Sequence, residues 1–171
     1  AWIDEWYESH VHHDAYKHQG KEAVLRFWQM CATQAPSVRE VEKDFTLLLG
    51  KHSIKGKIDR IDNGPDGTVT ILDYKTGATK SSLETEDKEQ LYLYQVALEE
   101  RGLRVSSMAY LYVLDGEKRE VEPLVGKKRE AFLMTLTERI DAILLSDFKA
   151  TPDPLICRYC DFRQICEFRK L

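Results

Sequence analysis

The sequence predicts a mixed α/β (α+β) layer fold, with a central mixed β-sheet flanked by helices. Three observations point there. Stretches of helical periodicity and strand-like apolar runs follow one another in the order helix, three strands, helix, two strands, helix. Gly-, Asn-, Asp- and Pro-rich turn signals separate the runs. The 171 residues, 43% hydrophobic and 32% charged, suffice for a single sizeable core.

Each element has its own signal. Residues 1–20 carry Trp2, Trp6, Tyr7, His10, His12, His13, Tyr16 and His18, and read as a helical or irregular lead-in. Residues 21–33 read as a helix in which Val24, Phe27, Trp28 and Cys31 form an apolar stripe; Pro36 ends it. Strand-like runs follow at about 40–49, 53–62 and 68–75. Asn63-Gly64-Pro65-Asp66-Gly67 is a strong turn, so the second and third runs should form a hairpin. A helix at 87–101 is closed by Gly102. Strands at 106–114 and 118–124 meet at Asp115-Gly116. A last helix spans 127–146, with Phe132, Leu136, Ile140 and Ile143 on one face, before Pro152 and Pro154 introduce a cysteine-containing tail, 152–171.

Composition narrows the function classes. With 25 Lys and Arg against 29 Asp and Glu, the net charge is −4, which argues against a protein that simply coats DNA but not against a carboxylate-rich metal pocket. No apolar run approaches the roughly 20 residues of a membrane span. The start, Ala1-Trp2-Ile3-Asp4-Glu5, lacks both a signal-peptide core and an initiator Met. The expectation is a single domain over 1–171, truncated at its N-terminus, from a cytoplasmic (bacterial or archaeal type) or nucleoid-associated protein.

The chemistry concentrates in the hairpin. Alternation along a strand puts Asp73 and Lys75 on one face, behind the apolar Val69 and Ile71. Asp59 on the partner strand is placed to converge on Asp73. Two converging carboxylates are costly unless something compensates them, and a hard divalent cation such as Mg²⁺ or Mn²⁺ does so. Such an ion polarises phosphoryl oxygens and acidifies water, and a neighbouring Lys75 can orient the attacking water or stabilise the charge that develops on phosphorus. An Asp-x-Lys on a strand is, by itself, often only a solvated ion pair; the flanking Ile71-Leu72 and Gly77 and the second acid set this one apart.

Gly56-Lys57-Ile58-Asp59-Arg60-Ile61-Asp62, then Leu72-Asp73-Tyr74-Lys75-Thr76-Gly77, then a helix carrying Gln90-Leu91-Tyr92-Leu93-Tyr94, resembles the RecB-like branch of the PD-(D/E)XK superfamily. That branch includes nuclease domains fused to recombinational-repair helicases and CRISPR-associated exonucleases. The resemblance covers residues 40–100 and implies a restriction-endonuclease-like core. It further implies that Asp59 and Asp73 bind metal, that Lys75 is catalytic, and that Gln90 and Tyr94 line the site. Their i, i+4 spacing does put those two on one helix face. Glu42 resembles the family's upstream strand acid, whose role varies. DNA is the implied substrate, attacked at ends or in single strands during recombination and repair, and a helicase domain or subunit is the implied partner. A non-catalytic DNA-binding or structural module of a helicase–nuclease complex is the alternative, although Asp59, Asp73 and Lys75 are all intact. A metalloregulator built on the cysteines alone would leave the acidic hairpin unexplained.

Two features fit the resemblance less directly. Many members carry a metal-binding His in a Gly-x-x-x-His setting on an N-terminal helix. Ser9-His10-Val11-His12-His13 lacks that setting, so the motif lies upstream, or His12 or His13 substitutes, or these are surface histidines. At the other end, Cys157, Cys160 and Cys166 form C-x2-C-x5-C, close enough to bind a soft metal or an iron–sulfur cluster. The pattern resembles the C-terminal part of the family's iron–sulfur staple, implying a [4Fe-4S] cluster whose fourth cysteine comes from the N-terminal side. Cys31 is either that ligand or a buried core thiol. Structural zinc, or no metal, are the competing readings. Lys118-Arg119, Lys127-Lys128-Arg129, Arg163, Arg169 and Lys170 are candidate phosphate contacts, and Tyr92, Tyr110 and Tyr112 serve either base stacking or packing.

Overall fold

The computed structural model of the chain describes residues 10–170, with side chains from His12 onward. The aromatic cluster Trp2, Trp6 and Tyr7 and the side chain of His10 lie outside the described residues. The elements run α1 (His10–Thr33), β1 (Val38–Leu49), β2 (His52–Asn63), β3 (Val69–Lys75), α2 (Thr85–Glu99), β4 (Val105–Tyr112), β5 (Glu117–Val121), α3 (Gly126–Leu145) and α4 (Pro154–Tyr159). They form two compact units, Ala1–Glu130 and Ala131–Leu171.

The first unit is built on one five-stranded sheet in the order β1-β2-β3-β4-β5. β1 and β2 form a long hairpin around Gly50-Lys51, where Gly50 takes a φ of 57° that a two-residue turn needs. β2 and β3 are antiparallel, joined by the expected turn, whose Pro65–Gly67 segment is a single 3-10 turn. β3 and β4 are parallel, so the chain must cross over between them, and α2 is that crossover. The sheet is therefore mixed, as the sequence predicts. β4 is buried along its last five residues, as a central strand covered on both faces should be.

α2 is well specified at both ends. Glu84 and Asp87 form a capping box, and Gly102 (φ 81°) lets the chain leave after Leu103 N–H donates to Leu98 C=O at 3.1 Å. Leu91, Val96 and Leu98 are fully buried, each contributing about 1.5–3 kcal/mol by leaving water. Gln95, also fully buried, is satisfied by Leu124: its amide donates to that carbonyl and accepts from that N–H, both at 2.8 Å.

α1 corrects one expectation. Its inward stripe is Ala23, Phe27 and Cys31, an i, i+4, i+8 ridge, whereas Val24 (68% exposed) and Trp28 (66%) face solvent. Periodicity finds an apolar face but not which flank of it meets the sheet. Here Phe27 docks edge-on against Tyr74 of β3, with centroids 5.6 Å apart, and Arg26 packs over Gly116 in the β4–β5 turn. The second unit holds α4, capped by Asp153, whose carboxylate accepts from Leu155 N–H at 2.8 Å. Among the described residues no helix is long and apolar enough to cross a membrane.

Candidate active site

The site sits where β3 parts from β2 while still paired with β4 as far as Lys75↔Tyr112. The β2–β3 ladder ends at Arg60↔Leu72. Two residues past Leu72, the Tyr74 N–H donates to the Asp59 carboxylate at 2.8 Å. That bond turns Asp59 toward β3, beside Asp73. Asp73 is 2% exposed. Its burial raises the carboxyl above its ordinary value, the Lys75 ammonium pulls it back, and the Asp59 charge pushes it up again.

Lys75, two residues along the same strand face, reaches Asp73 Oδ2 at 2.7 Å. Its ammonium also lies 4.6 Å from the centroid of the Tyr110 ring on β4, and it donates to Gln90 Oε1 at 2.8 Å. Gln90 and Tyr94 project from α2, which packs on this face as the β3–β4 crossover. The Gln90 amide donates to Asp73 Oδ1 at 2.9 Å and to the Tyr94 hydroxyl at 2.6 Å. Its orientation is chemically determined, because a flip would set its NH₂ against the ammonium and its oxygen against the carboxylate. Tyr94 completes the ring by donating to Asp73 Oδ1 at 3.4 Å, and burial holds its hydroxyl protonated above the ordinary tyrosine range. Burial does the same for Tyr110.

Five of the six predicted catalytic residues, Asp59, Asp73, Lys75, Gln90 and Tyr94, are thus brought together. Glu42 is not. It lies exposed on β1 in a left-handed backbone conformation (φ 50°), paired with Lys57 at 3.4 Å. With Lys75 paired to Asp73 and the Asp59 carboxylate close enough to act on Asp73, the cluster is short of positive charge. Carboxylate oxygens suit a hard divalent cation, so Asp59 and Asp73 fit the metal that the spacing suggested. A cavity of about 340 Å³ opens beside Lys75 and Gln90, walled by Gly77, Lys80, Leu83 and Tyr112. The loop along it is anchored by Thr79, whose N–H donates to Asp115 at 2.8 Å, and by the Lys80 carbonyl, which accepts from Arg119 at 3.1 Å.

Other expected positions fall elsewhere. Cys157, Cys160 and Cys166 are free thiols, partly exposed, in the second unit. Among the described residues no three or more His, Cys, Asp or Glu side chains gather into a metal-binding group, so the tail as folded here does not fit a cluster. His13 lies 3.1 Å from Asp14. Tyr110 and Tyr112 are 2% and 4% exposed, which assigns them to packing rather than to base stacking. The roles of Tyr74 N–H and of Tyr110 beneath Lys75 escape sequence reasoning. The only signal for Tyr110 is that a strand parallel to β3 must supply a floor to the site.

A mixed five-stranded sheet carrying an Asp, Asp, Lys cluster at the frayed edge of a hairpin defines the restriction-endonuclease-like class. The chain belongs to the PD-(D/E)XK nuclease superfamily, whose family model matches residues 1–167. No curated protein matches it. Among solved structures it is similar to SSO0001, at 19% identity and a TM-score of 0.49 over 86% of this chain and 69% of that one. It is also similar to a protein of Eubacterium rectale described as "Putative exonuclease", at 14% identity and a TM-score of 0.54 over 84% of this chain. The chain spans 65% of the length of the E. rectale protein, and the likeness is one of fold.

Proposed function

We propose that the protein is a Mg²⁺- or Mn²⁺-dependent deoxyribonuclease of the RecB-like type, an exonuclease acting on DNA ends or single strands in recombination and repair, in company with a helicase domain or subunit. The observation that carries the reading is the Asp73–Lys75–Gln90–Tyr94 network closed around a buried carboxylate beside Asp59. Superfamily membership and the intact motif residues support it.

In this reading Asp59 and Asp73 hold the divalent ion, which supplies positive charge for a phosphoryl oxygen and acidifies water. Lys75 stands at the edge of the cluster, 34% exposed, where its ammonium can orient a water and offset charge developing on the phosphate. Gln90 fixes the Lys75 ammonium through its Oε1 and the Asp73 carboxylate through its amide. Tyr94, kept protonated, holds Gln90 in that orientation. The cysteine spacing supports a proposal that the tail receives a [4Fe-4S] cluster after rearrangement. Anaerobic purification with iron and sulfide analysis tests it, and a protein that binds neither overturns it.

The deciding experiment is cleavage of end-labelled single- and double-stranded DNA with Mg²⁺, Mn²⁺ or EDTA, with Lys75→Ala alongside. Metal-dependent cutting that disappears in the variant is the expected result. Cutting that survives in EDTA, or in Lys75→Ala at the parent rate, would sink the assignment.

A further inference from the structure

We propose that Phe45 is a positioning residue of the cleavage site, acting through Tyr94, and that residue 56 is glycine so that the Phe45 ring can take its place; the inference rests on the nuclease reading above. Phe45 belongs to β1, outside the acidic hairpin, and faces Gly56 directly in the β1–β2 register. Its ring lies over the bare backbone of Gly56. A Cβ added there would fall 2.6 Å from Phe45 Cε1 and 2.7 Å from Cζ, closer than carbon atoms approach. The glycine is therefore required by the ring, its backbone φ being ordinary.

The same ring meets Tyr94 edge-on, with centroids 5.6 Å apart and planes at 74°. Phe45 and Tyr94 are each 6% exposed, so neither ring has solvent to move into. Tyr94 in turn holds the Gln90 amide, and Gln90 holds both Lys75 and Asp73. A continuous line of contacts thus runs from Gly56 through Phe45, Tyr94 and Gln90 to the Lys75 ammonium. Shortening Phe45 leaves a void against the Tyr94 ring and frees its hydroxyl to wander. A displacement of about 1 Å in a positioning group can cost on the order of a hundredfold in rate. A residue that merely fills the core would lower stability without singling out Tyr94.

A double-mutant cycle on the full chain separates the two. Cleavage of end-labelled single-stranded DNA is measured for the parent, Phe45→Leu, Tyr94→Phe and the double variant, after circular dichroism has shown each to be folded. Phe45→Leu should lower kcat about tenfold while KM stays within about twofold, and in the Tyr94→Phe background it should change kcat by less than about twofold. Gly56→Ala should also lower kcat, and adding Phe45→Leu to it should restore part of the loss by removing the clash. Equal losses from Phe45→Leu in both backgrounds would overturn the proposal. A second readout needs no activity: in protein labelled with ¹³C at tyrosine Cζ, the Tyr94 resonance, identified by its disappearance in Tyr94→Phe, should shift in Phe45→Leu and in Gly56→Ala. If that resonance moves while the parent cuts no DNA, the nuclease reading fails and the Phe45–Tyr94 coupling stands; if it stays, the coupling fails whatever the parent does.

Discussion

Asp59 and Arg60 are adjacent on β2, yet they enter opposite kinds of charge cluster. On Arg60's side, the guanidinium donates to Asp62 through Nε at 2.7 Å and through Nη2, and to the Tyr74 hydroxyl at 3.1 Å. The Asp62 bond leads the interactions that raise its affinity for its proton. One cation meets one anion in bidentate geometry, and the pair is balanced. On Asp59's side, Lys75 pairs with Asp73 alone, a second carboxylate stands beside the pair, and Asp73 is pushed toward protonation. The balanced cluster is complete without any ligand. The unbalanced one calls for a further cation. Charge imbalance, more than burial or hydrogen-bond count, separates the candidate site from a structural ion pair one residue away.

The sharpest way to break this contrast is to remove the unbalanced cluster's members. Asp73→Ala or Lys75→Ala should lower metal-dependent DNA cleavage by about a thousandfold, some 4 kcal/mol of barrier. A parent-like rate in either would place the chemistry elsewhere. Next comes the balanced pair. Arg60→Ala leaves a half-buried Asp62 without its bidentate partner and should cost about 1.5–3 kcal/mol in urea denaturation, while the fraction that stays folded still cleaves. If Arg60→Ala leaves stability unchanged, the cluster is not the structural knot its geometry describes.

A third test uses ligand linkage. Mg²⁺ at a hundredfold excess over its dissociation constant should stabilise the protein by about 2.7 kcal/mol. Thermal melting with and without the ion should show the gain in the parent and in Glu42→Gln, and lose it in Asp59→Asn. A smaller effect follows from pH. The Asp73 carboxyl lies above its ordinary 3.8, so the folded state keeps this proton to higher pH than the unfolded chain does. Without metal, its contribution to stability therefore declines as pH rises from 3.8 through the folded value, and is flat beyond. Denaturation across that range should show the decline in the parent and its absence in Asp73→Asn. The smallest effect is expected at Glu42, exposed and paired with Lys57: Glu42→Gln should change kcat by less than about twofold.

The hairpin was legible because its signals are local. Period-two alternation puts Asp73 and Lys75 on one face, the Asn63–Gly67 turn brings Asp59 opposite, and a spacing of four puts Gln90 and Tyr94 on one side of a helix. Glu42, read from the family resemblance, has a setting that sequence position alone does not give. It has the right residue type on the right strand, but its left-handed backbone leaves the side chain exposed beside Lys57. The α1 stripe fails for a related reason: Val24 and Trp28 are as apolar as Phe27, and only the sheet beneath the helix selects the Ala23–Phe27–Cys31 ridge.

By itself, then, the amino-acid order determined the main helices and strands, the turns and the Asp, Asp, Lys set, because periodicity, turn chemistry and side-chain charge act within a few residues, whereas Gln90 and Tyr94 were marked as site residues by the family resemblance. Tertiary structure decided the rest. It put α2 across β3 and β4 so that Gln90 and Tyr94 meet Asp73, set Tyr110 beneath Lys75, and ended the β2–β3 ladder where Tyr74 N–H could turn Asp59 inward. Those contacts join residues up to 35 positions apart in the chain, and no local pattern encodes them, since they depend on which strands pair and where pairing stops.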